Sequence, residues 1–261
     1  MVERALGWQP DAPDERDGAF AISTIIGEFD LAPPQASNRE LVDGMFDQLN
    51  LGSCVGNAFS RADHMLEVAA FHDGIIAEIP EPSSRLFHYY NSRKQHGDHK
   101  RDSGTFIRLC VQQANELGVP PESIWPYTPW EDVNGEPMWA VKPALRAYQH
   151  ASADRIRVYR RIASEGDARR DEVQRVLADG LPIIFGTYVA KSFIDNRGPL
   201  LIEPPGLEPI AGGHAMVMVG YDERGVEICN SWGTDWRDKG FAFMSWEYIA
   251  WHGTRDIWAL S

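Results

Sequence analysis

The segment from Asp47 to Ala58 constrains the fold of this chain more than any other. A polar turn that contains a glycine leads directly into a stretch whose apolar residues recur at spacings of three, four and seven, the period of a helix with one buried face. The residues on this face are Cys54, Ala58, Ala62, Met65, Leu66 and Ala69. The pattern predicts a helix over about residues 53–71, with Cys54 in its first turn.

A cysteine at the start of a helix has two interpretations. The free backbone N–H groups and the partial positive charge of a helix N-terminus favour a thiolate over a thiol, so the position suits a nucleophile. Free cysteine is also among the most frequently buried residue types, and taken alone the pattern around Cys54 favours a structural cysteine of the core. Other parts of the chain must decide between the two.

Two later segments supply the partners that a nucleophilic cysteine needs. His214 follows two glycines at the head of an apolar strand pattern, and Asn230 stands 16 residues later, at the start of an Asn-Ser-Trp-Gly sequence. A cysteine, a histidine and an asparagine can serve as nucleophile, base and the group that orients the base. Gln48, six residues before Cys54, adds a side-chain amide that can donate a hydrogen bond.

These segments together resemble the papain family of cysteine peptidases. The resemblance runs from about Asp47 to about Gly240 and includes the Gln-to-Cys spacing, the Gly-His-Ala step, the Asn-Ser-Trp-Gly sequence and the Trp-Pro-Tyr run at residues 125–127. Two positions depart from the family pattern. Leu51 stands where the family usually has a disulfide cysteine, and Val55 replaces the aromatic residue that usually follows the nucleophile.

The order of the predicted elements gives the fold class. Helical patterns crowd the first half of the chain and strand patterns the second, which is typical of an α+β fold, and 261 residues suffice for a two-lobed enzyme. The resemblance implies a papain-like catalytic domain over 47–261, with a helical lobe at about 47–138 and an antiparallel, β-barrel-like lobe at about 139–261. The active-site cleft is expected between the two lobes.

The resemblance also implies a mechanism. As a thiolate, Cys54 would attack a peptide carbonyl and form a thioester acyl-enzyme. His214 would be an imidazolium that stabilises the thiolate and then protonates the leaving amine. Asn230 would fix the orientation of the histidine ring. The amide of Gln48 and the backbone N–H of Cys54 would form the oxyanion hole.

Four further residues are expected to bind substrate. Gly104, Gly213 and Ala215 are small residues predicted to line the cleft, and Trp232 is an aromatic residue predicted to shield the bond between the histidine and the asparagine. The same site would be an acyltransferase if an acceptor other than water entered, and an exopeptidase if the cleft were blocked at one end. A third alternative is a catalytically silent papain-like module that only binds a partner.

Charge narrows the range of partners. The chain has 38 acidic and 25 basic residues and a net charge of −13, which disfavours binding to nucleic acid and to anionic membranes. It has no run of about 18 apolar residues, so no membrane-spanning helix is expected. The expected partner is a peptide or protein substrate. No cofactor and no metal are expected, because His88, His96 and His99 fit no ligand spacing and are predicted to be solvent-exposed.

The three cysteines and the N-terminal residues indicate the cellular location to expect. Cys110 and Cys229 fall in apolar helical and strand patterns, so we expect buried free thiols rather than a disulfide, as suits a reducing compartment. The first residues contain no apolar segment of the kind found in a Sec signal. A cytoplasmic location is therefore expected.

Residues 1–46 are predicted to form an extended arm. They are rich in proline, aspartate and glycine, and only Ala19–Ile26 has the pattern of a short strand. Two interpretations remain open at this point. The arm either packs on the body of the enzyme or lies in or near the cleft and regulates it.

Overall fold

The structure is a computed structural model that describes residues 4–14, 32–152, 159–195 and 197–261. The α-helices in these ranges are α1 (Cys54–His72), α2 (Arg85–His96), α3 (Ile107–Leu117), α4 (Leu145–Ala151), α5 (Gly166–Ala178), α6 (Lys191–Ile194) and α7 (Trp246–Ala250). The strands are β1 (Ala36–Ser37), β2 (Asp132–Val133), β3 (Glu136–Pro137), β4 (Tyr159–Ile162), β5 (Ile183–Ala190), β6 (Leu201–Ile202), β7 (Ile210–Tyr221), β8 (Gly225–Cys229), β9 (Phe241–Ser245) and β10 (Thr254–Leu260). Four helices precede β4, and every strand of the main sheet except β1 lies from β4 onward, so the predicted α+β class is confirmed.

The main sheet has the strand order β4-β10-β5-β7-β8-β9-β6, and β1 pairs with β7 off this path. All of its pairings are antiparallel except that of β6 with β9. Because successive side chains of a strand point to opposite faces, β7 contributes to two cores. Ala215 and Val217 pack with α1, while Met216 and Met218 pack with α5.

Helix α1 is buried along most of its length because it lies between the sheet and the other helices. It contacts β7 on one side and both α2 and α3 on the other. Ser84 caps α2 by accepting a hydrogen bond from the Phe87 N–H, and Gly97 ends that helix in the left-handed conformation with φ of 84°. The packing of α1 between the sheet and these two helices holds its N-terminus against β7.

The second half of the N-terminal arm packs on the sheet. Strand β1 pairs with the end of β7, and the Tyr221 hydroxyl donates to the Pro33 carbonyl oxygen at 2.7 Å. The side-chain amide of Asn38 donates to the Leu177 carbonyl oxygen at 2.8 Å. The strand predicted at Ala19–Ile26 lies outside the described residues, and the domain boundaries given above stay predictions.

Several local predictions are wrong. The hydroxyls of Ser103 and Thr105 predict a cap for the helix that follows them, but the N-cap residue of α3 is Phe106. The sequence pattern predicts a helix over about 139–150, of which the structure keeps only α4 as an α-helix. His88 is buried rather than solvent-exposed, with Nε2 at 3.1 Å from the Ser83 hydroxyl oxygen, because it lies on the inner face of α2.

The expectation for the cysteines is confirmed: Cys110 and Cys229 are buried and free. In the part of the chain that the structure describes, no three His, Cys, Asp or Glu side chains are grouped so that they could hold a metal ion. No helix among the described residues has the length and apolar character needed to cross a membrane.

Candidate active site

The turn before α1 determines where Cys54 lies. The Ser53 N–H donates to the Leu51 carbonyl oxygen at 2.8 Å, and Leu49 adopts a positive φ of 59°, so the chain reverses sharply before the helix begins. Cys54 is the first residue of α1 and is fully buried. Its thiol lies close to the backbone amide of Ala215, which shows that the helix N-terminus abuts β7 next to His214.

His214 and Asn230 form a hydrogen-bonded pair. Asn230 follows directly on β8, and its Oδ1 lies 2.8 Å from His214 Nε2 and also accepts the Ser231 N–H at 2.7 Å. The second ring nitrogen, Nδ1, has no hydrogen-bond partner among the described residues. One nitrogen of the ring is therefore fixed by Asn230, and the other makes no hydrogen bond with the described residues.

Aromatic side chains enclose this pair. Trp232 is fully buried and stacks on the His214 ring with centroids 4.5 Å apart and an angle of 29° between the planes. Trp236 and Phe193 pack edge-on or tilted against Trp232 and against each other. The hydrogen bond between His214 and Asn230 is thus kept away from water, which strengthens it.

Burial also governs the charge state of the two reactive groups. It raises the pKa of Cys54 to about 11, although nearby backbone N–H groups act in the opposite direction. It lowers the pKa of His214 to about 4, against the effect of Asn230, and the guanidinium of Arg4 lowers this pKa further. Both pKa values favour the neutral forms of the thiol and the imidazole, so the structure with the arm in the cleft differs from the predicted thiolate–imidazolium pair.

Gln48 is held in one orientation by three contacts. Its Oε1 accepts a hydrogen bond from the Ser231 hydroxyl at 2.7 Å. Its Nε2 donates to the Leu51 carbonyl oxygen at 2.8 Å and to the Ala5 carbonyl oxygen at 3.1 Å. The amide that the sequence assigns to the oxyanion hole thus already contacts a backbone carbonyl, and that carbonyl belongs to the N-terminal arm.

Residues 4–11 of the arm lie across the cleft between the lobes. Trp8 N–H donates to the Gly213 carbonyl oxygen at 3.1 Å, on the side of the β lobe. On the helical side, the Thr105 N–H donates to the Gly7 carbonyl oxygen at 2.8 Å and the Gln9 N–H donates to the Thr105 carbonyl oxygen at 3.0 Å. An extended chain therefore pairs with both walls of the cleft at once.

This close approach depends on glycines. A Cβ at Gly7 would lie 1.8 Å from the Gly52 carbonyl oxygen. A Cβ at Gly104 would lie 2.0 Å from the Gly7 carbonyl oxygen, and one at Gly213 would lie 2.3 Å from the Trp8 carbonyl oxygen. Both cleft glycines that the sequence assigns to substrate binding thus face the backbone of the arm.

The arm is anchored at both ends. Arg4 donates to the Asp47 carboxylate at 2.6 Å and to the Trp232 carbonyl oxygen at 2.7 Å. At the other end, the Asp11 N–H donates to the Asp256 carboxylate at 2.7 Å. Between these anchors the Trp8 ring lies edge-on to Tyr188, with 5.3 Å between the ring centroids.

The structure thus brings together the predicted site residues. Gln48 and Cys54 come from one lobe, and His214 and Asn230 from the other. Ala215 is fully buried, with its amide near the thiol, and Trp232 contacts the histidine rather than the open cleft. Their roles stay predictions.

Sequence reasoning missed three contributors to the site. Ser231 was visible only as part of the Asn-Ser-Trp-Gly sequence. Trp8 and Asp102 carry no local pattern that indicates a place beside the cleft, since the residues they contact are distant in sequence.

Comparisons with known proteins agree with this arrangement. The model of the papain family cysteine proteases matches residues 94–253. The chain is 31% identical to xylellain, a cysteine protease from Xylella fastidiosa, whose crystal structure it matches with a TM-score of 0.84 over 100% of this chain and 97% of that one. It is 30% identical to an uncharacterized peptidase C1-like protein of Acanthamoeba polyphaga mimivirus, over 95% of this chain and 84% of the relative.

A more distant structure shows the fold alone. The digestive procathepsin L 3 of Tenebrio molitor larval midgut is 15% identical and matches with a TM-score of 0.69, over 99% of this chain and 75% of that one.

Proposed function

The chain belongs to the papain family of cysteine peptidases, and we propose that it cleaves peptide bonds through Cys54, His214 and Asn230 by way of a thioester acyl-enzyme. The observation that carries this proposal is the 2.8 Å hydrogen bond from His214 Nε2 to Asn230, formed where the thiol at the start of α1 meets β7. It leaves Nδ1 as the nitrogen that can exchange a proton with the thiol.

The reaction follows from these positions. Cys54 transfers its proton to Nδ1 of His214, and the sulfur attacks the substrate carbonyl carbon. The imidazolium then gives its proton to the leaving amine as the C–N bond breaks, and a thioester remains on Cys54. A water molecule loses a proton to His214 and attacks the thioester, which releases the acid and restores the thiol. Asn230 keeps the ring in one orientation throughout.

The oxyanion that forms in each step needs donors. The Nε2 of Gln48 donates to the Ala5 carbonyl oxygen of the arm at 3.1 Å, so it can reach a backbone carbonyl oxygen in the cleft, and the Cys54 N–H at the helix start is the second candidate. Removal of a donor of this kind costs about 3–4 kcal/mol of transition-state stabilisation.

The arm is proposed to keep this site latent. Its backbone occupies the walls of the cleft, its Ala5 carbonyl occupies the Gln48 donor, and with the arm in place the thiol and imidazole are neutral. A substrate can bind only after residues 4–11 have left. The partner in the latent state is thus an intramolecular segment, and in the active state it is a peptide or protein.

Labelling with a thiol-directed epoxide and hydrolysis of an internally quenched peptide together test the proposal. The full chain is labelled at about pH 8, where the arm is expected to dock less tightly, and mass spectrometry should find the adduct on Cys54 and none on Cys110 or Cys229. These two cysteines are not covered by the arm, so they stay buried when it leaves and serve as internal controls. Cys54→Ala should abolish both labelling and hydrolysis while the protein stays folded. Hydrolysis that persists in folded Cys54→Ala protein would refute the assignment. Labelling without hydrolysis would favour the binding module or a transferase.

A further inference from the structure

Asp102 lies where two parts of the cleft meet. Its carboxylate accepts the Gly52 N–H through both oxygens, at 3.0 and 3.2 Å, and also accepts the hydroxyl of Tyr89. The same hydroxyl oxygen accepts the Gly104 N–H at 3.3 Å. One carboxylate and one phenol therefore join the turn before Cys54 to the segment Ser103–Thr105, which we call the cleft rim.

The two parts joined by Asp102 do different work. Gly52 belongs to the turn that sets the position of the nucleophile, since Cys54 follows two residues later. The cleft rim instead pairs with backbone: Thr105 donates to the Gly7 carbonyl oxygen and accepts the Gln9 N–H, and the Ser103 carbonyl oxygen accepts the side chain of Gln9 at 2.7 Å. The turn with Gly52 thus positions the thiol that would attack a substrate, and the cleft rim pairs with the backbone of an extended chain.

The linking group is rigid. Tyr89 is fully buried on α2, and the guanidinium of Arg93 lies 3.7 Å from its ring while donating to the Tyr89 carbonyl oxygen at 3.0 Å. Burial, opposed in part by Arg93, raises the pKa of Tyr89 well above its usual value, so its hydroxyl keeps its proton and remains a donor. Asp102 itself is exposed at the cleft edge, so its loss leaves the core intact.

We propose that Asp102 is a positioning residue that fixes the cleft rim relative to Cys54, so that a substrate bound along the rim presents its carbonyl to the thiol. The inference rests on the proposed peptidase function. The link between Gly52 and the rim consists of hydrogen bonds to a carboxylate, which are stronger than those between neutral groups.

Two substrates separate this role from a structural one. A minimal single-residue ester needs only the nucleophile and the oxyanion donors, whereas a peptide of about four residues also pairs with the rim. Both substrates require the arm to leave, so the ratio of their kcat/KM values cancels any change in arm docking and in the fraction of folded enzyme. Asp102→Ala in the full chain should lower the peptide-to-ester ratio by about tenfold, because small misplacements of a bound substrate have large effects on rate.

Companion variants sharpen the test. Asp102→Asn keeps one acceptor oxygen for the Gly52 N–H and should recover part of the ratio, and Tyr89→Phe should lower the ratio as Asp102→Ala does. Asp98→Asn removes the same charge from the preceding loop and should leave the ratio unchanged. An unchanged ratio in Asp102→Ala, with ester hydrolysis intact, would overturn the positioning role and leave the proposed function standing. Absence of ester hydrolysis in the wild type would instead count against the proposed function.

Discussion

Replacing Asp11 with asparagine should keep the arm docked at a pH where the wild-type arm is released. Asp11 anchors one end of the arm, and charged or polar groups face it from every element packed against it. The Asp256 carboxylate and the Trp258 indole N–H come from β10, the latter 3.3 Å from Asp11 Oδ2. The Arg108 N–H of α3 donates to Asp11 Oδ1 at 3.3 Å, and Arg161 of β4 pairs with Asp256 at 3.0 Å.

The magnitude follows from the proton affinity of Asp11. Burial, then the neighbouring Asp256 carboxylate, raise the pKa of Asp11 from 3.8 to about 7, against the opposing effects of Arg108 and Trp258. The docked arm therefore holds a proton up to about pH 7, whereas the free arm loses it above its ordinary pKa. Docking is tightest at low pH, weakens as the pH rises to about 7, and is constant above that.

The difference between the pKa of Asp11 in the docked arm and its ordinary pKa corresponds to at most about 4 kcal/mol of docking free energy. Solvent at the edge of the cleft reduces this value. Between about pH 5 and about pH 8 we therefore expect docking to weaken by at least about tenfold in the wild type. Asparagine is neutral throughout, like the protonated acid. Asp11→Asn should thus remove the part of the pH dependence that comes from Asp11 and leave the arm more tightly docked at about pH 8, so that peptide hydrolysis there falls below that of the wild type. The buried Asp256 carboxylate, whose pKa is also raised, accounts for any dependence that remains.

The assay is hydrogen exchange of the amides in residues 4–11, corrected for the intrinsic effect of pH and measured on the full chain with Cys54→Ala to prevent turnover. Asp73→Asn, an exposed change far from the cleft, is the matched control and should behave like the wild type. Equal pH profiles for Asp11→Asn and the wild type would refute the reasoning. This readout does not depend on activity, so it tests the arm separately from the chemistry.

Three further predictions concern the site and its surroundings. His214→Ala should lower kcat by about 10²–10⁴-fold, and Asn230→Ala should lower it less, because Asn230 transfers no proton; equal losses in folded protein would contradict this division of roles. Gly7→Ala should expel the arm through its clash with the Gly52 carbonyl and raise the rate on a short peptide, whereas the exposed Gly74→Ala should not. Reductant should leave the melting temperature unchanged, because all cysteines are free, and a clear drop in calorimetry would contradict this.

Elements with a strong local period could be predicted from the sequence. Helix α1 begins at Cys54 because a turn with a glycine precedes a regular apolar face. The pattern of the last residues predicts a strand over Thr254–Leu260, which are the bounds of β10. The apolar run after His214 predicts a strand from Ala215, whereas β7 begins at Ile210, since its first part is held by pairing with β5. Such pairing is a long-range property that a local pattern does not contain.

The cleft contacts could not be predicted for the same reason. Asp11 and Asp256 meet across 245 positions of the chain, and Gly52 and Asp102 across 50. Threonine is a common N-cap residue, but the backbone of Thr105 pairs with the arm, so α3 begins after it. The chemical residue types of the site were readable, whereas the segments that surround them depend on how the two lobes and the arm come together.

Two opposing effects on the pKa of Cys54 bear on the proposed latency of the site. A helix N-terminus stabilises a negative charge by about 0.3–1 kcal/mol, and up to about 2 kcal/mol in partly buried positions. Burial raises the pKa of the thiol from 9.0 to about 11, which corresponds to roughly 3 kcal/mol against the thiolate, so burial wins while residues 4–11 cover the cleft. The arm also places Arg4 near His214, and this positive charge lowers the pKa of the histidine. Departure of the arm would uncover the thiol and remove Arg4, and it would also remove the Gly7 N–H, which lowers the pKa of the thiol. Because burial is the largest cause, we expect reactivity of the thiol and access to the cleft to return together.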